Sequence, residues 1–238
     1  MLKILPVAIL AGGLARRLRP LTERTPKSLL TVAGRPFIFH QLELLRGQGV
    51  ERVVLCLAHL GEQIRAAVDG ALAPGLIVSY SFDGPQLLGT GGALRAALPL
   101  LGEEFFVLNG DSYLPCSLHR VQAAYHAARH PALMTVMRND NRWDRSNVLF
   151  RGGRLLAYDK RAPQPEMTHI DFGLSVLSRS VFDPYTRASI LDLADILHDL
   201  SLHGELAAVE VAERFYEIGS VQGLKETDDF LSQQVSGA

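Results

Sequence analysis

Leu10-Ala11-Gly12-Gly13-Leu14-Ala15-Arg16-Arg17-Leu18-Arg19-Pro20-Leu21-Thr22, followed by Thr25-Pro26-Lys27-Ser28-Leu29-Leu30, carries the chain from an apolar strand through a glycine turn into clustered cations. Arg16, Arg17, Arg19, Arg24 and Lys27 stand there against a single anion, Glu23, in a chain of formal net charge -1. The positive charge is therefore local, and it reads as a site for a nucleoside triphosphate. A polyphosphate needs backbone N–H groups that approach closely, which glycine permits, and fixed cations opposite its charge. Gly12 and Gly13 supply the first, Arg17 and Lys27 the second. Alone, the glycine pair would be a tight turn and the arginines a solvated face; the Pro26-Lys27 pair downstream makes the stretch specific. No Gly-Lys-Ser/Thr follows at P-loop spacing and no Gly-x-Gly-x-x-Gly opens a helix, which argues against a P-loop NTPase and a dinucleotide dehydrogenase.

Outward from this stretch, short apolar runs alternate with helical patterns. Strands are expected at 5–10, 52–58, 76–82 and 105–109, and helices at 36–48, 61–72 and 90–98. The alternation predicts a mainly parallel sheet with helices on both faces, in which ligands bind at the carboxyl ends of the strands. The Gly12 turn and Asp111 both fall there. Beyond Ala132 the sequence turns strand-rich, at 132–138, 148–150, 155–158 and 170–177, with Gly152-Gly153 suited to a hairpin turn. A substrate-binding lobe is expected there, followed by helices at 190–202 and 221–234. The 238 residues fit a single domain, 1–238, of a nucleotide-binding half (about 1–131) and a second half (about 132–238). No internal repeat or linker divides it.

The near-neutral charge gives no general attraction to nucleic acid or to anionic membranes. Cys56 and Cys116 fit no zinc spacing and read as buried or incidental thiols, and the eight histidines form no ligand pattern. Residues 1–10 are apolar but contain Pro6 and run straight into the glycine turn, so they read as the first strand and not a signal peptide. No apolar stretch approaches the roughly 20 residues needed to span a bilayer. A soluble, cytoplasmic protein with no membrane partner is expected, and its oligomeric state, homo-oligomer included, stays open.

Gly-Gly-x-x-x-Arg-Leu-x-Pro-Leu-Thr with its following Pro-Lys resembles the signature of the sugar-1-phosphate nucleotidyltransferases, or NDP-sugar pyrophosphorylases. Leu88-Gly89-Thr90-Gly91-Gly92-Ala93-Leu94, Val107-Leu108-Asn109-Gly110-Asp111, Tyr158-Asp159-Lys160 and Phe215-Tyr216-Glu217-Ile218-Gly219-Ser220 agree in the same order, over residues 4–230. The resemblance implies a Rossmann-like, three-layer α/β/α fold similar to GT-A, with a strand-rich sugar-binding lobe. It also implies attack of a sugar-1-phosphate on the α-phosphorus of an NTP, with Mg2+ as cofactor. A phosphate monoester, with a second pKa of about 6, is already largely dianionic and needs no general base. Positioning of two anions and neutralisation of the leaving pyrophosphate should do the catalytic work.

By resemblance, Arg17 contacts the β and γ phosphates, Lys27 bridges the α-phosphate region, and Asp111 with Glu217 holds the metal, Glu217 standing where the family usually has aspartate. From the residues alone Asp111 reads equally as a hard oxygen ligand or as a cap. Leu10, Gly12, Gly13 and Arg16 belong to the nucleotide loop, while Gly89, Thr90 and Gly92 match the segment receiving base and ribose; Thr90 reads equally as a helix cap. Lys160 matches the lysine that holds the sugar phosphate, against a competing reading as an exposed lysine paired with Asp159. Asp171 and Gly173 match positions near the sugar hydroxyls. Ala15-Arg16 replaces the family's usual Gly-Thr; the basic residue is similar to the manno-heptose-1-phosphate guanylyltransferase branch and leans the reading to GTP. Muramyl and hexose-1-phosphate uridylyltransferases share the short architecture. An impaired nucleotide-sugar-binding subunit, or cytidylyl transfer to a non-sugar phosphate, are the alternatives.

Overall fold

A computed structural model describes residues 3–71 and 74–236. The first half runs β1 (Val7–Leu10), β2 (Thr31–Val32), β3 (Arg35–Pro36), α1 (Phe37–Gly47), β4 (Arg52–Leu57), α2 (Gly61–Ala71), β5 (Ile77–Phe82), α3 (Gly89–Leu101) and β6 (Glu104–Asn109). The rest runs β7 (Ser112–Tyr113), α4 (Leu118–Ala128), β8 (Ala132–Arg138), β9 (Val148–Arg151), β10 (Arg154–Tyr158), β11 (His169–Ser178), α5 (Leu193–Leu202), β12 (Leu206–Glu210), β13 (Tyr216–Glu217) and α6 (Val221–Ser236). Leu72, the expected end of the second helix, and residues 1, 2, 73, 237 and 238 of the expected domain lie outside the described residues.

β1 sits inside a nine-stranded sheet, paired in parallel with β4 on one side and β6 on the other, with β5 parallel beyond β4. The chain therefore leaves β1 toward β4 and β5, then crosses back to add β6 on the other flank. The gap between the β1 and β6 carboxyl ends is the switch point of such a sheet. β11 joins antiparallel to β6 and also pairs with β8 and β9, so the strand-rich half continues the same sheet. β10 continues antiparallel from β9, and β12 runs parallel to β8.

Period-two alternation explains the layers. Val7, Ile9, Phe106 and Leu108 face a core shared with Ile38 and Leu42 of α1, Ile64 of α2 and Val121 of α4. Ala8, Val54, Phe105 and Val107 face the opposite core, closed by Leu94 and Ala97 of α3 and Ile196 and Leu197 of α5. A third cluster, with Val32, Phe37, Tyr113, Ile218 and Leu231, seats α6. This is the expected α/β/α architecture. No helix among the described residues is long and apolar enough to cross a membrane.

Several boundaries differ from expectation for local reasons. The first strand begins at Val7, although the Pro6 carbonyl still accepts the Phe106 N–H at 2.8 Å. The helix expected from 190 begins at Leu193, because Asp192 turns extended and its carboxylate caps the Ala194 N–H at 3.0 Å. α4, β12 and the two-residue pairs β2–β3 and β7–β13 are additional. The cation-rich loop after Gly13 is held by Leu18, 1% exposed, whose burial contributes about 2 kcal/mol. The Thr22 hydroxyl also donates to the Ala15 carbonyl at 2.9 Å. Ala15 adopts left-handed φ 46°, the strain expected where the family uses glycine.

Gly89 opens α3 at φ +78°, where a Cβ would lie 2.4 Å from the Leu191 carbonyl oxygen. Gly89→Ala is expected to cost about 2–4 kcal/mol in urea unfolding, because strain and overlap add. Gly204→Ala, at φ +68° in open space after α5, should cost only about 1 kcal/mol. Equal losses would mean that the Leu191 contact carries no energy.

Candidate active site

The switch point opens into a cleft of about 370 Å³, lined by Leu10, Ala11, Gly12 and Gly13 from the β1 end, Asn109, Gly110 and Asp111 from the β6 end, and Lys27. Gly89, Thr90 and Lys160 complete it among the sequence-predicted residues. Gly12 is confined, since a Cβ would lie 2.9 Å from that of Ala58, whereas Gly13 faces open space. A broader hollow of about 690 Å³ lies along β12 between Arg120, Trp143 and Glu210 and holds none of the predicted residues.

Where the β1 and β6 ends meet, the Lys27 ammonium donates to Asp111 Oδ2 in a largely buried ion pair. Lys27 is presented by a 3-10 turn, Lys27–Leu29, that begins after Pro26, whose ring fixes the backbone entry. Asp111 is fixed through its backbone: its carbonyl accepts the Ile218 N–H at 2.9 Å, and Glu217 pairs with Ser112 across β7 and β13. This short antiparallel ladder is what brings Glu217 beside Asp111, across more than a hundred residues of chain. A Cβ on Gly219 would lie 3.3 Å from an Arg17 guanidinium nitrogen, 3.5 Å from Glu217 Oε1 and 3.6 Å from Asp111 Oδ2. Arg17 and both carboxylates thus border one small space that a side chain at 219 would fill. Burial pushes the Glu217 carboxyl above its usual range, repulsion from Asp111 adds to the rise, and Arg17 and Lys27 oppose it.

Two carboxylates facing one space match the donor count that Mg2+ takes when phosphates and water complete its shell. No group of three or more His, Cys, Asp or Glu residues suited to a metal occurs among the described residues.

The opposite wall differs in detail from expectation. The Thr90 hydroxyl donates to Asp192 at 2.8 Å and accepts the Leu193 N–H at 2.8 Å, so it ties α3 to the start of α5 and does not cap its own helix. Gly92 does not line the cleft: its N–H and that of Gly91 donate to the Leu191 carbonyl, at 3.0 and 2.9 Å. Lys160 lines the cleft, while Asp159 accepts the N–H groups of Arg161 and Ala162 at 2.8 Å each. That turn replaces the Lys160–Asp159 pair of the competing reading. Asp171 is not among the lining residues and accepts the Gly173 N–H at 2.9 Å. Burial holds its carboxyl above the usual range, partly offset by the Lys160 charge. Gly173, at φ +95°, sits over Asn109 where β11 bulges.

Arg16 is exposed and lies outside the cleft lining. Cys56 and Cys116 are buried, and burial pushes both thiols up to about 12, as inert core residues require. Gln41 escaped the motif reading. From the buried face of α1 its amide donates to the carbonyls of Asn109 and Ser112 at 2.9 and 2.8 Å, bracketing Asp111 from below. A lone amide among Phe37, Ile38 and Leu42 was the available signal.

The MobA-like NTP transferase domain model matches residues 7–213, so the chain belongs to that family. An N-acetylmuramate alpha-1-phosphate uridylyltransferase from Neisseria meningitidis serogroup B is 45% identical over 104 residues, 43% of this chain and 45% of that protein. A D-glycero-alpha-D-manno-heptose 1-phosphate guanylyltransferase from Campylobacter jejuni is 32% identical over 114 residues, 48% of this chain and 51% of that protein. A mannose-1-phosphate guanyltransferase beta-B from Xenopus laevis aligns at 26% identity over 94% of this chain and 62% of its own length. The chain thus spans less than two thirds of each of these relatives. In structure, HddC from Yersinia pseudotuberculosis complexed with GMP-PN shares the fold at a TM-score of 0.80 and 22% identity, over 96% of this chain and 100% of that one. The inositol-1-phosphate CTP transferase of T. maritima does so at 0.78 and 21% identity, over 97% and 96%.

The raised Glu217 carboxyl makes a stability prediction with a definite sign. A carboxyl raised in the fold contributes stability that is full below its unfolded value, about 4.3, and is lost as pH rises through the folded value. Without metal, Glu217→Gln should therefore unfold at higher temperature than the parent at neutral pH, the gap closing on acidification. A variant less stable at neutral pH would show that Arg17 and Lys27 outweigh burial.

Proposed function

We propose that this chain transfers a nucleotidyl group from a nucleoside triphosphate to a sugar-1-phosphate, releasing pyrophosphate, with Mg2+ held by Asp111 and Glu217. The observation that carries the reading is the Lys27–Asp111 ion pair where the β1 and β6 loops meet, bordered by Arg17 and Glu217 and faced across the cleft by Lys160. Cation and carboxylate side by side suit a reaction in which one phosphate group is attacked while another leaves.

In this reaction a phosphate oxygen of the sugar-1-phosphate forms a bond to the α-phosphorus, and the bond to the β-phosphate bridging oxygen breaks, its electron pair leaving with pyrophosphate. Lys160 orients the incoming phosphate from the far wall. Lys27 sits at the α-phosphate and lowers the cost of bringing two anions together. Arg17 faces the departing β and γ phosphates and offsets their growing charge. Bound Mg2+ supplies Lewis-acid neutralisation of the phosphate oxygens. Asp171 lies outside the cleft lining, where it accepts the Gly173 N–H and holds that turn. Sequence relatives are named for guanylyl and uridylyl transfer, which supports the reaction type over any one base.

The test is pyrophosphate release with Mg2+ across five nucleoside triphosphates and a panel of hexose- and heptose-1-phosphates, with product mass determined. Lys27→Ala should lower kcat about 10²–10³-fold while moving stability by no more than about 1–2 kcal/mol. Asp111→Asn should abolish turnover and leave the fold intact. Parent-like rates in either variant would remove that residue from the mechanism.

A further inference from the structure

One carboxylate in the cleft has no part in the chemistry above. Asp83 follows β5 directly, and its N–H donates to the Leu57 carbonyl at 3.0 Å, so the β4–β5 ladder fixes its position one residue beyond the strand. Its Oδ2 accepts the Leu88 N–H at 2.9 Å, while Oδ1 accepts no hydrogen bond from the described residues. Asp83 lines the cleft together with the apolar side chains of Leu10, Cys56, Leu87 and Ala93. Apolar walls with one fixed acceptor suit a flat heterocycle read along one edge.

A carboxylate can only accept, so the base it recognises must present donors. Guanine offers two adjacent ones, N1–H and the N2 amino group. Uracil and thymine offer a single N3–H between two carbonyls, both of which a carboxylate repels. In adenine and cytosine the amino group adjoins a ring nitrogen that is itself an acceptor. We propose that Asp83 is the base-specificity residue of this cleft and selects guanine, making GTP the nucleotide donor. This rests on the nucleotidyl-transfer reading for its reaction, but not for its binding preference.

Calorimetric binding of GTP, inosine triphosphate, xanthosine triphosphate and UTP therefore comes first, without any sugar phosphate. The parent should bind GTP best, and inosine triphosphate, which lacks the 2-amino group, about 10-fold more weakly. In Asp83→Asn the side-chain oxygen still serves the Leu88 N–H and the new amide can donate to the C2 carbonyl of xanthine. The variant should therefore shift the GTP-to-xanthosine triphosphate preference by about 100-fold toward the latter. Tighter UTP binding by the parent, equal binding of GTP and inosine triphosphate, or an unchanged ratio in Asp83→Asn would each overturn the assignment. The inosine comparison needs no variant, so a folding defect in Asp83→Asn leaves the assignment testable. Guanine-selective binding without pyrophosphate release would retain Asp83 and reject the reaction; release with UTP alone would do the reverse.

Discussion

Everything in the site hangs on the pairing of β1 with two parallel neighbours. Parallel strands must be joined by crossovers, and those crossovers place the loops after β1, β4 and β6 on one edge of the sheet. The glycine turn after Leu10 and the Asn109-Gly110-Asp111 turn are separated by about a hundred residues, yet they become adjacent because their strands are hydrogen-bonded from Val7–Phe106 to Leu10–Asn109. Lys27 and Asp111 then meet across that junction. Neither loop alone holds both partners.

The sheet supplies position, and smaller devices supply precision. The β7–β13 ladder sets the two carboxylates side by side, Gly219 keeps the space between them open, and Gln41 holds the Asp111 turn from within the core. These supports are mostly backbone hydrogen bonds and buried amides, whose loss leaves unsatisfied polar groups. The site is therefore stiff where charge must be placed, while the arginines of the loop above it stay exposed.

Much of this was legible in the residues. Strands β1, β4, β5 and β6 announce themselves as apolar runs bounded by glycine or polar residues, and Lys27 and Asp111 stand in unusual local settings. α4 was not legible, because His119, Arg120 and His126 dilute an apolar face of Leu118, Val121 and Tyr125. β12 hides among small residues, Leu206-Ala207-Ala208-Val209, that suit either periodicity. Two residues of the glycine motif also make contacts that the sequence does not report. Thr90 and Gly92 sit in a motif that binds ligand by resemblance, but their polar groups are engaged by Leu191, Asp192 and Leu193, a hundred residues away, and no local pattern reports that contact. Asp83 was missed because a carboxylate after a strand looks like an ordinary turn residue until the opposite wall is known.

β11 has a consequence for how such proteins diversify. It pairs with β6 of the first half over Leu174–Ser178 and with β8 of the second half over His169–Asp171 and Ser175–Leu177, with a bulge between these last two stretches. The two halves are thus not modules that can be exchanged by cutting near residue 131. A cut there would strip β6 of its neighbour and leave a bare sheet edge over the Phe106–Leu108 core. New binding properties in either half must then arise by changing side chains and loops upon a shared strand, and a chimera would need its junctions on both sides of β11 with that bulge kept in register.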